Sequence, residues 1–289
     1  MSKISDKIIN TVKEKSKSLE GEMSFFDHLE ELRWHLIRSA LAICVFTIIA
    51  FTFYTWIYDH IIMAPSKKDF WTFRAMCQVG EWLHRDMCIS NINIHLINTE
   101  MAGQFTLMID SALMIGLILG IPYLLFELWR FIKPALHEKE RKAASGFVFY
   151  ASFLFICGVL FGYYIITPVS LNFLSSFTVS GQIQNLFSVD SYLSSVSTLT
   201  LATGLVFELP ILVYILANLG ILTPKFMRDT RRYAIVIILI IAAIVTPTPD
   251  MLTMTVVAIP LLLLYELSIS VAAVVERRKK KRAAEADAS

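Results

Sequence analysis

Three carboxylates, Glu31, Glu140 and Glu208, hold most of the chemical information in this 289-residue sequence. Glu208 interrupts the apolar run Tyr192–Leu219, 11 residues before its end, which is about 16 Å of helix. An acid at that depth in a bilayer costs roughly 2.5–3.5 kcal/mol on insertion scales and marks a functional position by default. Pro210, two residues on, has no N–H and frees a backbone carbonyl close by. The acid either works in function or hydrogen-bonds a Ser or Thr of a neighbouring span. Asp110 and Glu266 are weaker candidates, since a modest helix shift brings either to an interface.

Glu31 has a different setting. Ser24-x-x-Asp27 follows a capping-box pattern, and Phe25, Leu29, Leu32 and Leu36 form one apolar stripe at spacings of 4, 3 and 4. Glu31 falls about 120° from that stripe, near Asp27, His28 and His35. The expectation is a short amphipathic helix lying on the interface with an acidic patch, which is either solvated surface or a cation-binding face. Glu140 lies in the polar connection that runs from Phe131 to Lys142, where Pro134 ends or bends the preceding helix. It sits among Lys139, Arg141 and Lys142, so that segment reads equally as a basic loop with incidental acids.

Other chemistries lack their residues. The sequence holds no G-x-x-x-x-G-K-[ST], G-x-G-x-x-G, G-x-S-x-G or H-E-x-x-H pattern, which removes support for nucleotide, hydrolase and metalloprotease sites. The four cysteines show no C-x-x-C or Cys/His metal spacing. Cys44 and Cys157 lie in apolar runs as packing residues, while Cys77 and Cys88 share one polar loop and can pair if it faces an oxidising compartment. No catalytic residue, metal, cofactor or nucleic acid is expected.

The elements that must position these acids follow from composition. Apolar residues make up 56% and charged residues 17%, against about 45–50% and 25% in soluble domains. One soluble core cannot absorb that excess, so a bilayer is the solvent. The expected class is an all-α integral membrane protein with six transmembrane helices at about 37–58, 104–132, 146–170, 192–219, 233–246 and 251–274. These form a membrane domain over 24–275, between a polar N-terminal extension (1–23) and a basic tail (276–289). With both termini on one side, 22 of the 26 basic residues fall there, which makes that side cytoplasmic. The 13 residues Tyr233–Val245 reach only about 20 Å, so short fifth and sixth helices should wall a concavity around the turn Thr246-Pro247-Thr248-Pro249-Asp250.

Several stretches in this order resemble the TatC family, the multispan subunit of the twin-arginine protein translocase. His28-Leu29-Glu30-Glu31-Leu32-Arg33 is similar to its H-L-x-E-L-R motif, and Phe131–Arg141 to its F-x-x-P-A-L-x-x-x-E-R loop. Ala64-Pro65, Ser191-Tyr192-Leu193 and Phe207-Glu208-Leu209-Pro210 match the family's A-P, S-Y-L and F-E-x-P. Thr246–Asp250 is a variant of T-P-P-D with one extra Thr. The likeness spans roughly residues 24–275.

The resemblance implies a non-enzymatic receptor for Arg-Arg signal peptides in the bacterial cytoplasmic (inner) membrane. It assigns the arginine pair to Glu31 and Glu140, with Leu32, Arg33, Phe131 and Arg141 around them. It places Glu208, Pro65, Tyr192 and Asp250 in an intramembrane polar or partner-binding set, where the acid of F-E-x-P meets a single-span subunit. Implied partners are TatA/TatB-type subunits, precursor signal peptides, lipid and further copies in a larger complex, driven by the proton-motive force. Glu30 beside Glu31, and Trp34-His35 in place of basic residues, depart from the family pattern. The competing reading is a proton-coupled small-molecule transporter with Glu208 as proton carrier. Prolines at 122, 168, 210 and 260 show no 3+3 symmetry and speak against it.

Overall fold

The computed structural model describes residues 25–82, 96–133, 146–178, 180, 185–246 and 251–287. Its first helix, α1 (Phe25–Thr52), is one unbroken rod. The short interfacial helix expected around Glu31 is therefore the first turns of the first long helix. No Gly or Pro separates the acidic patch from the apolar run beginning at Ser39, so hydrogen bonding continues through. The chain then bends through Tyr54–Ile57, a π-helical turn Tyr58–Ile62 and a 3₁₀ turn Ala64–Ser66. After α2 (Trp71–Trp82) comes α3 (Gly103–Ile132). Next, α4 (Phe147–Phe161) passes through a second π-helical turn, Gly162–Ile166, into α5 (Thr167–Ser176).

The second half holds α6 (Val189–Val206), α7 (Leu209–Asn218), α8 (Pro224–Asp229), α9 (Arg231–Val245) and α10 (Met251–Asp287). Strands β1 (Leu96–Ile97) and β2 (Phe187–Ser188) pair in parallel on the loop side. Among the described residues, five helical stretches are long and apolar enough to cross a membrane: Glu30–Thr52, Gly103–Ile132, Phe147–Ser176, Val189–Asn218 and Thr253–Lys281. At 15 residues, α9 is shorter than those five, as expected of the fifth helix.

The sixth helix is not short. Its 37 residues run past Glu266 and through the basic tail to Asp287. Glu266, midway along it, accepts from Arg231 Nη2 of α9 at 2.7 Å.

Close approach of backbones holds the bundle together, as expected where lipid offers no hydrophobic drive between helices. A Cβ added to Gly120 of α3 would lie 3.2 Å from the Ile43 Cα of α1. One added to Gly158 of α4 would lie 2.7 Å from Phe207 Cβ and 2.9 Å from Gly204 Cα. Helix α6 is central: Val196 packs in one cluster with Leu107 and Met114 of α3, and Leu199 in another with Ile238 of α9 and Leu261 of α10. Both residues are fully buried. Tyr163 and Tyr192 donate to the carbonyls of Ile61 and Ile62, at 2.5 and 2.7 Å, tying the first π-helical turn to the bundle.

Candidate functional site

The outer turns of α1 and the last turns of α3 meet in a polar network. His35 faces Glu127 of α3, and the two form a short hydrogen bond through Nδ1 and Oε2. Tyr123 donates its hydroxyl to Glu127 Oε1 at 2.9 Å, one helical turn earlier, and Arg130 Nη1 reaches the same oxygen at 3.4 Å. A carboxylate withdrawn from water is destabilising unless such donors replace its hydration. Glu127 is only 1% exposed, and three side chains supply that replacement.

The accessible acid lies beside this buried knot. With Nδ1 committed to Glu127, the other ring nitrogen of His35 turns to Glu31 Oε1, 4.0 Å away. Glu31 keeps 39% of its side chain exposed, and Arg33 on the same helix is exposed. Leu32 is half-buried. Phe131 closes the network from the α3 side, edge-on to the His35 ring at 6.2 Å. Glu31, Leu32, Arg33 and Phe131 thus converge at one end of the α1–α3 pair. The expected partners Glu140 and Arg141 lie outside the described residues, as does Asp250.

Glu208 occupies a break between α6 and α7. Phe207 and Glu208 form a turn: Glu208 N–H donates to the Leu205 carbonyl, and its own carbonyl accepts from Ile211 and Leu212. Pro210 sits in the first turn of α7, where its missing N–H does no harm. Both Glu208 carboxyl oxygens are buried, and neither has a hydrogen-bond partner among the described residues. The alternative of a Ser or Thr partner is therefore not realised within the described chain.

Pro65 and Tyr192 lie together and apart from Glu208. Pro65 is buried in the 3₁₀ turn, next to the Ile62 carbonyl that the Tyr192 hydroxyl occupies. Tyr192 is 3% exposed, so the observed work of this residue is to fasten a turn. Asp110 is exposed, and Glu266 is satisfied by Arg231. Among the described residues no cluster of His, Cys, Asp or Glu could hold a metal. Cys77 is disulfide-bonded, while Cys44 and Cys157 are free.

Sequence reasoning did not single out Glu127, an acid within the apolar stretch before Lys133. Its signal was present: Tyr123, Glu127 and Arg130 at i, i+4 and i+7 put a donor on each side of a carboxylate along one helix face.

The fold and the two acid sites define a polytopic α-helical membrane protein with polar groups at one rim and one open acid within. The family model described as Sec-independent protein translocase protein (TatC) matches residues 27–260. The TatC of Blattabacterium sp. subsp. Periplaneta americana is 37% identical over 226 residues, covering 77% of this chain and 85% of that protein. That of Deinococcus radiodurans is 35% identical over 74% of this chain and 72% of its own length. A crystal structure named as the twin arginine translocase receptor TatC superposes with a TM-score of 0.66 at 34% identity. It covers 86% of this chain and 99% of that one. The chain belongs to the TatC family: it is a membrane-embedded component of a Sec-independent protein translocase, not an enzyme. That membership displaces the small-molecule transporter reading.

Proposed function

We propose that this chain is the receptor of a twin-arginine translocase, taking the Arg-Arg pair of signal peptides at the cytoplasmic face. The observation that supports this most is the placing of Glu31: partly exposed, on the unbroken helix α1, and one side chain away from the buried His35–Glu127 pair. Glu31 and Glu140 grip one guanidinium each. Guanidinium meets carboxylate through a planar fork, whereas Lys presents a point charge, so the pair prefers Arg. Two charge-assisted contacts of about 1.5–3 kcal/mol each give roughly 10²- to 10⁴-fold discrimination.

In this reading the protein crosses the inner membrane six times with α9 as the short fifth span, and both termini are cytoplasmic, where the basic residues gather. Glu208, with no partner of its own, meets a polar residue of a single-span TatA/TatB-type subunit, and the complex works under the proton-motive force. The deciding experiment captures the purified chain on an Arg-Arg signal peptide and on its Lys-Lys counterpart. Capture should favour Arg-Arg, and the double variant Glu31→Ala/Glu140→Ala should abolish the preference while leaving membrane insertion intact. Equal capture by both peptides would overturn the proposal.

A further inference from the structure

We propose that the groove between α4, α7 and α10 binds an anionic phospholipid, one acyl chain in the groove and the phosphate on Arg278. The groove encloses about 460 Å³, within the usual range of small-ligand sites. Its polarity is graded along one direction. Phe147 at the start of α4 and Tyr214 of α7, with rings 6.3 Å apart, line it together with Arg278 in the basic part of α10. Leu154, Pro210 and Val271 add apolar lining from the same three helices. Phe147 to Leu154, and Val271 to Arg278, are each seven residues, or about 10 Å of helix. An apolar slot about 10 Å deep beneath a cation is the shape of a lipid tail hanging from its phosphate.

Charge specifies the head. Arg278 lies in the basic run Arg277–Arg282, two members of which are already engaged: Lys279 donates to the Asn218 carbonyl, and Lys280 pairs with Glu276 at 2.6 Å. Arg278 has no carboxylate partner among the described residues and lines the groove. A guanidinium fork suits a phosphate bidentately, and basic pockets between membrane helices near the cytoplasmic surface bind anionic headgroups. The inference is independent of the signal-peptide reading.

The test uses the full chain, delipidated in detergent and followed by native mass spectrometry. Palmitoyl-oleoyl phosphatidylglycerol should be retained about tenfold better than phosphatidylcholine with the same chains, whose choline cation offsets the attraction of Arg278 and its basic neighbours for the shared phosphate. Arg278→Gln should erase that preference, and Arg277→Gln, at an exposed position outside the groove lining, should keep it. On the unaltered chain, phosphatidylglycerol with a photoactivatable acyl chain should label peptides carrying Leu154 and Val271. Equal loss in both arginine variants would make the attraction diffuse and overturn the site. So would equal retention of the two lipids, displacement by an equal concentration of inorganic phosphate, labelling elsewhere, or displacement of the label by a single-span subunit.

Discussion

Glu127 and Glu208 are both glutamates set in long apolar helices, and the protein treats them in opposite ways. Glu127 is sealed between α1 and α3 with His35, Tyr123 and Arg130 pointed at it. Glu208 stands at a break in its helix with two buried oxygens that have no partner among the described residues. The first carboxylate joins two helices. The second weakens its own surroundings, a state that persists where a function uses it. Depth in the membrane therefore says little about an acid's role, whereas the inventory of donors around it says much.

That contrast can be broken by substitution. Glu127→Ala removes the shared acceptor of three side chains and should destabilise the chain by about 3–5 kcal/mol, read as a lowered thermal midpoint in detergent. Glu208→Ala in the same assay should not, so equal losses would erase the distinction. A smaller effect is expected at the packing that holds the break. Gly158→Val pushes a side chain into Phe207 and Gly204 and should cost about 1–3 kcal/mol. A neutral result there would mean that α4 and α6 have room to separate. The smallest stability change belongs to Glu208→Gln, which should leave the midpoint unchanged or raise it by up to about 2 kcal/mol. Co-purification of a single-span subunit should nevertheless fall. A clear loss of stability with normal co-purification would place Glu208 with Glu127 as a structural acid.

Some of this was legible from local pattern. The apolar runs marked the five long helices and the short α9, because hydropathy and length are properties of contiguous residues. Pro210 marked the break at Glu208, since a missing N–H acts on its own helix. Local pattern misled at the sixth helix, which was expected to be short and to end near residue 274 but runs on through the basic tail to Asp287.

The sequence by itself determined that this protein lives in a bilayer, which segments are helical, and which acids are out of place, since each follows from neighbours along the chain. Only the tertiary structure decided which of those acids is satisfied. The bond between His35 and Glu127 spans 92 residues of sequence. Gly120 and Gly158 matter only because another backbone passes within contact distance. Pairing and close packing are set by how helices pass one another, and that geometry has no signature in any single stretch of residues.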